Sequence, residues 1–395
     1  MKLKIFTLIL LSAASAFCDA VRDGSLWKLP APLCDFDKNS DNVLSGDEIT
    51  AEYARFDLNK DGAIVPSEVL FLQAKENFER QFPDYEKPLL KPVKLDANAK
   101  PKKYENAILI SIDGFDRKVF MELCEGNLLP NIYSVATQNN SKPVFLNSEI
   151  IDHQTETKPG HAAMLTGLNS ELNFVLSNSQ FMPIPKGLTI HGRLKENLGA
   201  ENIYTIFVSS KAENVGARSG EELGNREVEG IHIEGAPYYE AKDCIDYFSA
   251  EDRPTVLAQK EFIKALNTVK DKPFFAFLHF RNPDKAGHAY GRESKSFRRK
   301  TMEVDSAIGE ILKELKNLGF DKNTRIFITA DHGFVPGARN HFFAPWIFLA
   351  TNDVSVCKEG RESIVNYDVP ATIIAGFGID LDKLKPKLRG VDLSK

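Results

Sequence analysis

The sequence predicts an α/β fold: an α/β/α sandwich preceded by a small helical module near the N-terminus. Three observations carry this. Short, continuous apolar runs alternate with longer amphipathic stretches after residue 103. The stretch before residue 82 is acidic and rich in turn residues. Residues 83–103, between the two, hold four prolines and many lysines without helical or strand periodicity, as an extended linker would.

Taken in order, the first residues, MKLKIFTLILLSAASA, place Lys2 and Lys4 before an apolar run that ends in Ala14-Ser15-Ala16. This is the three-part pattern of a secretory signal peptide, so residues 1–16 are set apart from fold reasoning. The run is too short for a retained membrane span. The expectation is an exported protein, periplasmic or secreted. Formal net charge is −5, and loss of Lys2 and Lys4 takes it two units further. With no basic tract to neutralise a phosphate backbone, stable nucleic-acid binding is excluded. A hydrophobic content of 43% against 27% charged residues suffices for one large core and a small module. The five cysteines, Cys18, Cys34, Cys124, Cys244 and Cys357, form no C-x-x-C pair, which argues against a thiolate zinc site or a redox motif. Export leaves one or two disulfides open.

Residues 34–82 read as a module of their own. Counting Asp37 as position 1 puts Asn39 and Asp41 at 3 and 5, Asn42 at 6, the Val43 carbonyl at 7 and Glu48 at 12. Counting from Asp57 gives Asn59, Asp61, Gly62, Ala63 and Glu68 at the same places. Oxygen ligands at 1, 3 and 5, a turn residue able to take φ > 0 at 6, and a bidentate Glu at 12 are what an EF-hand loop needs to bind Ca2+. The alternative, an acidic surface segment without an ion, explains one such loop more easily than two. One short helical stretch, Glu48 to Arg55, has to leave the first loop and enter the second. That spacing resembles compact bacterial EF-hand repeats more than a calcium-sensor pair. One or two calcium ions are expected.

From Tyr104 to Lys395 the apolar runs are AILISI (107–112), IYTIFV (203–208), FFAFLHF (274–280), RIFITA (325–330) and WIFLA (346–350). Parallel strands covered on both faces look like this, because no polar alternation survives. Helices are expected over 254–270 and 295–318, the second placing Ile308, Ile311, Leu312 and Leu315 on one face.

Three of these runs lead into metal-type side chains: Asp113 after the first, Asp284 and His288 after the third, Asp331 and His332 after the fourth. One Asp after a strand is ordinarily a cap or turn residue. Three such positions, two of them pairing Asp with His, point to a metal site, since ligands gather outside the carboxyl ends of strands in an open parallel sheet.

The segments ILISIDGF (108–115), TKPGHAAMLTG (157–167), NPDKAGHAYG (282–291), TADHGF (329–334) and the later His341 before APWIF resemble the alkaline phosphatase superfamily, especially its nucleotide pyrophosphatase/phosphodiesterase branch. The closing NYDVPATIIAGFGI (366–379) is also similar to that family's final strand, turn and helix. The resemblance implies an alkaline-phosphatase-like sandwich and two zinc ions per chain. One would sit on Asp284, His288 and His341, the other on Asp113, Thr157, Asp331 and His332. No histidine follows His341 in the chain to take its place. Imidazole and carboxylate donors without thiolate favour zinc over magnesium or calcium on chemical grounds as well.

By the same resemblance Thr157 is the nucleophile, a hydroxyl that metal coordination activates. Asn178 matches an asparagine that donates to a non-bridging phosphate oxygen. Lys211 matches a phosphate-contacting lysine of some monoesterase relatives, but Glu213 stands where those relatives carry arginine. Threonine at 157 excludes a sulfatase, whose Cys or Ser is oxidised to an aldehyde. The expected activity is hydrolysis of a small-molecule phosphate ester or nucleotide through a phosphothreonine, with a phosphodiesterase or nucleotide pyrophosphatase first and a phosphomonoesterase second. A non-catalytic calcium-dependent binding protein on this fold would have lost ligands, and here every position is filled.

Overall fold

The computed structural model describes residues 28–81 and 104–395, apart from 174, 176, 179–183, 185–186, 213–225, 229–230, 234–241, 358–360 and 362. The expected signal peptide at 1–16 and the linker at 83–103 lie outside the described residues.

The centre is an eight-stranded sheet. Its strands are β3 (Asn106–Ile112), β4 (Phe145–Glu149), β5 (Tyr204–Ser209), β8 (Tyr247–Ala250), β9 (Phe274–Phe280), β10 (Thr324–Thr329), β11 (Trp346–Thr351) and β12 (Ser363–Val365). Their order is β12-β4-β11-β10-β3-β9-β5-β8. Among the described residues, β6 (Arg226–Val228) and β7 (Ile231–Ile233) pair antiparallel with each other.

Both sheet faces are covered, which is why the strands read as unbroken apolar runs. Along β3, Ile108, Ile110 and Ile112 join a core cluster with Phe120, Ile132, Phe262 and Ile308 from the helices Arg117–Glu125, Pro130–Thr137, Thr255–Leu266 and Lys295–Asn317. Ala107 and Leu109, one residue out of phase, join a second cluster with Leu165, Leu194 and Ile373 from the helices Thr157–Thr166, Ile190–Leu198 and Asp368–Gly376. The strand's two-residue period thus feeds two helical layers.

The strand at 346–351 departs from expectation. It runs antiparallel to both β10 and β4, whereas β10, β3, β9, β5 and β8 are mutually parallel. A buried strand carries the same side-chain pattern in either direction, so its sequence does not report its sense. The reversal has a structural use: β11 begins at the edge where β10 ends, and residues 330–345 form a loop that stays at that edge.

In the N-terminal segment, Glu48 to Arg55 is not a helix. Two 3-10 turns, Gly46–Glu48 and Ala54–Phe56, flank it instead. β1 (Leu44–Ser45) pairs antiparallel with β2 (Ala63–Ile64), joining position 8 of each acidic loop, Leu44 to Ile64. A helix, Pro66–Gln81, follows. Its Phe71 is buried in the first of the two core clusters that flank the eight-stranded sheet, with its ring 5.6 Å from that of Phe343. Lys75 on the same helix pairs with Glu149 at the end of β4.

Candidate active site

The expected ligands stand at the carboxyl edge of the sheet, on strand ends, on the helices Thr157–Thr166 and Asp284–Tyr290, and on the loop after β10. Asp113 directly follows β3, its N–H donating to Phe280 O of β9 at 3.0 Å. The Asp284 N–H donates in turn to Asp113 O at 3.0 Å. Asp331 and His332 leave β10, and Asp331 Oδ1 accepts from Gly114 N at 3.0 Å. His341 comes from the β10–β11 loop and is tied to the segment before Thr157: its Nδ1 lies 2.6 Å from Thr155 O, and the Thr155 hydroxyl donates to His341 O. Thr157 opens the helix Thr157–Thr166. That helix lies close enough to β10 that a Cβ added at Gly160 would sit 2.3 Å from Asp331 O, so only glycine fits there.

Two overlapping groups of ligand atoms result. Among the described residues, atoms of Asp284, His332 and His341, and of Asp113, Asp331 and His332, lie within 4.8 Å of one another. His288 adjoins the first group, its Nε2 being 3.3 Å from Asp284 Oδ1 and 3.2 Å from His341 Nε2. Thr157 Oγ1 is 3.5 Å from His332 Nε2. The two halves differ in access: Asp113, Asp331 and His332 are fully buried, whereas the His288 side chain is 47% exposed.

Hydrogen bonds around the histidines assign their tautomers. Nδ1 of His288, His332 and His341 faces the main-chain carbonyls of Arg339, Gly333 and Thr155 at 3.0, 2.8 and 2.6 Å. A carbonyl only accepts, so each Nδ1 carries a proton, and in neutral His332 and His341 the Nε2 then turns a lone pair inward. Burial lowers the pKa of His332 and, most strongly, of His341, to about 3, so both stay neutral. At His288 the Asp284 carboxylate, 3.3 Å from Nε2, outweighs burial and raises the pKa.

The carboxylates show the complementary feature. Asp113 Oδ1, Asp284 Oδ1 and Asp331 Oδ2 are buried without a hydrogen bond. Inward lone pairs and orphaned carboxylate oxygens at one point are a donor set for cations, and the mixture of imidazole and carboxylate fits zinc.

Lys211, two residues beyond β5, supplies positive charge here. Its Nζ is 2.7 Å from Asp113 Oδ2, 3.0 Å from Asp284 Oδ2 and 3.3 Å from Thr157 Oγ1. Burial pushes the Asp113 and Asp284 carboxyls up, but Lys211, aided by His279 at Asp113 and His288 at Asp284, outweighs it. Asp113 falls to about 2 and Asp284 lies well below the usual range. Burial and the neighbouring Asp113 drive Asp331 well above it. Burial also opposes the charge on Lys211, but Asp113 and Asp284 prevail and raise its pKa.

Asn178 lies beside the start of the Thr157–Thr166 helix. Its side-chain oxygen accepts from Lys158 N at 2.9 Å, and its N–H donates to Glu156. The carbonyl end is thereby engaged, leaving the amide end as the donor. Glu213 lies outside the described residues.

Two buried histidines of this region were not singled out by the sequence reading. His161 places Nδ1 2.7 Å from Thr157 O and Nε2 2.9 Å from Ser111 Oγ. His279 places Nε2 2.9 Å from Asp113 Oδ2 and Nδ1 3.0 Å from Ser209 Oγ. The available signal was a lone polar residue inside the apolar run FFAFLHF. Among the described residues no disulfide joins Cys34, Cys124, Cys244 and Cys357 to one another, and Cys18 lies outside those residues.

The acidic loops of the N-terminal segment are organised locally. Asp37 accepts from Asp41 N and Asn42 N, Asn39 from Asp41 N, Asp41 from Val43 N, and Glu48 from Lys38 N and Ser45 N. Asp57, Asn59, Asp61 and Glu68 repeat the pattern with Asp61, Gly62, Ala63, Leu58 and Val65. Only the second loop is described in contact with the C-terminal residues. Asn59 Nδ2 donates to Arg389 O at 3.0 Å, and the Arg389 guanidinium is 3.3 Å from Asp61.

Comparison with known proteins gives the architecture its relatives. Solved structures sharing the mixed α/β fold with a central sheet include BT4656 in complex with its substrate D-glucosamine-2-N,6-O-disulfate (TM-score 0.51, 15% identity, 74% of this chain and 80% of that one). Another is BT1596, a 2-O GAG sulfatase (TM-score 0.50, 13% identity, 74% and 76%). At such identities the likeness is one of fold alone. Among curated proteins, ectonucleotide pyrophosphatase/phosphodiesterase family member 1 of Rattus norvegicus is 26% identical over 289 residues, 70% of this chain and 30% of its own length. Bis(5'-adenosyl)-triphosphatase enpp4 of Mus musculus is 26% identical over 282 residues, 70% and 56%. The chain thus spans about a third to a little over half of these relatives' lengths. The family model described as type I phosphodiesterase / nucleotide pyrophosphatase matches residues 107–376, a span that contains Asp113, Thr157, Asn178, Lys211, Asp284, His288, Asp331, His332 and His341. The chain belongs to the type I phosphodiesterase / nucleotide pyrophosphatase family.

Proposed function

We propose that this protein is a two-zinc hydrolase of phosphate esters that works through a phosphothreonine, with phosphodiesters and nucleotide pyrophosphates as its preferred substrates. The observation that carries this is the convergence of Thr157 Oγ1 with three inward imidazole nitrogens and three buried carboxylates at one sheet edge. Asp284, His288 and His341 would hold one zinc, and Asp113, Thr157, Asp331 and His332 the other. Bound there, the two ions supply Lewis-acid charge to the attacking and leaving oxygens.

The chain's own groups do the rest. Thr157 stands in the first turn of a ten-residue helix, where N–H groups and the helix dipole favour a phosphoryl anion. Lys211 beside Oγ1 favours the deprotonated hydroxyl. Oγ1 attacks phosphorus as the bond to the leaving group breaks, and water then cleaves the phosphothreonine and restores Thr157. The Asn178 amide donates to a non-bridging oxygen as charge develops on it.

Lys211 favours a second reading, a phosphomonoesterase, because it brings positive charge next to the nucleophile where a dianion would sit. The two readings separate on substrate. The test compares p-nitrophenyl phosphate with bis-p-nitrophenyl phosphate and a dinucleoside triphosphate at saturating zinc. The diesters and the anhydride should lead in kcat/KM. A monoester preference of about tenfold, ~1.4 kcal/mol of transition-state binding, would put the monoesterase first.

The remaining assignments belong to the same proposal. Residues 34–82 act as a calcium-binding EF-hand module, through Asp37, Asn39, Asp41, Val43 O and Glu48 in one loop and Asp57, Asn59, Asp61, Ala63 O and Glu68 in the other. Residues 104–395 are the catalytic domain. The signal-like leader supports action in the periplasm or outside the cell, and no helix among the described residues is long and apolar enough to cross a membrane.

A further inference from the structure

We infer that His279, braced by Ser209, is a positioning residue that decides which oxygen of Asp113 faces the metal centre. The inference rests on the two-zinc reading above.

His279 is the one polar side chain in β9 and is fully buried. An imidazole in such a place costs stability unless both nitrogens are paired. Both are paired: register places Ser209 of β5 beside His279, and Asp113 follows two residues after Ser111, the β3 neighbour of His279. Nε2 is 2.9 Å from Asp113 Oδ2, and a carboxylate only accepts, so Nε2 carries the proton. Nδ1 lies 3.0 Å from the Ser209 oxygen, whose hydroxyl also reaches Lys211 O at 2.9 Å.

The consequence falls on Asp113. Its Oδ2 is occupied twice, by His279 and by Lys211 Nζ at 2.7 Å. Its Oδ1 is left buried without a hydrogen bond, 3.6 Å from His332 Nε2 and aimed at the ligand group. Without the imidazole, nothing on the β9 side distinguishes the two oxygens. Ser209 extends the hold, since its oxygen also accepts from Lys211 N at 3.1 Å, so one hydroxyl braces both the imidazole and the turn that carries the lysine. His161, the neighbouring buried imidazole, differs in kind: its proton goes to the Thr157 carbonyl within its own helix.

The test is a zinc-competition titration of the full chain against a chromophoric chelator, with a thermal melt to establish folding. His279→Leu should weaken one of the two zinc ions by about 10- to 100-fold and leave the other within about threefold. His279→Gln, whose amide can still donate to Asp113, should recover most of that loss. Ser209→Ala should weaken the same ion by about threefold or more. A folded His279→Leu that binds both ions like the parent overturns the inference while the two-zinc reading stands. A parent chain that takes up fewer than two ions overturns both. If His279→Leu does not fold, Ser209→Ala decides: unchanged affinity overturns the inference, and selective loss of one ion supports it.

Discussion

The catalytic centre and the N-terminal module both gather carboxylates, and they do so by opposite means. In the centre, Asp113, Asp284 and Asp331 come from three separate strand ends, are buried, and keep orphaned oxygens directed at one another's neighbourhood. In the module each loop folds its own carboxylates onto main-chain N–H groups a few residues away. A centre assembled from distant segments needs the whole fold to hold like charges together and gains most from cations. A loop assembled locally exists with or without its ion. The two loops also differ from each other. The first has exposed members such as Asn39 and Asp41, whereas Asp61 reaches Arg389 and Glu68 is buried close enough to Asp152 for burial, with that neighbour's charge, to raise its carboxyl well above the usual range.

The largest effect tests the division of labour inside the centre. Thr157→Ala should reduce hydrolysis of an activated diester by at least about 10³-fold, while zinc content stays at two, because six other side chains remain as ligands. Substantial residual turnover would remove Thr157 from its role. Asn178→Ala should cost on the order of 10²-fold, mainly in kcat. An effect confined to KM would mean that the amide binds the ground state only.

Stripping the metals probes the comparison directly. Removing zinc should lower the melting temperature by several degrees, as loss of ligand at about 1,000 times its Kd costs about 4 kcal/mol. Calcium removal should cost less, since each loop retains its internal hydrogen bonds. If the two chelations destabilise equally, the contrast between assembled and local carboxylates is broken. The smallest effects separate the loops. In calcium-free buffer Asp61→Ala should cost about 1 kcal/mol through the lost Arg389 contact, and Asp41→Ala no more than about 0.5 kcal/mol. The measurement is a pair of denaturant melts, and equal losses would show that the second loop's contact contributes nothing.

Much of this architecture is legible in the sequence for a stated physical reason. β3, β9 and β10 are apolar runs because both faces are covered, and the residue that ends each run stands at the edge where a parallel sheet places its ligands. The direction of β11 was not legible, because burial on both faces erases any sign of strand sense. Glu48 to Arg55 misled because loop spacing suggests a shared helix, while the chain covers the distance with two 3-10 turns. His279 went unread because an imidazole in a buried strand is ordinarily a core residue, and only the register of β3, β9 and β5 shows Ser111 and Ser209 beside it. Lys211 follows its strand as the aspartates do, yet a single lysine beyond a strand carries no sign that two carboxylates await it.

Gly160 turns this crowding into a limit on variation. A methyl group there would stand 2.3 Å from the Asp331 carbonyl oxygen, about 1 Å inside an ordinary contact. Helix and strand would have to part by roughly that amount, a displacement large enough to cost on the order of 10²-fold in rate when it separates reacting groups. The clearance between the helix that begins at Thr157 and the main chain at Asp331 is therefore set by one missing carbon atom. Mutational searches for new substrates can reshape the pocket around this seam but cannot widen the seam itself, so the catalytic geometry should persist wherever specificity diverges.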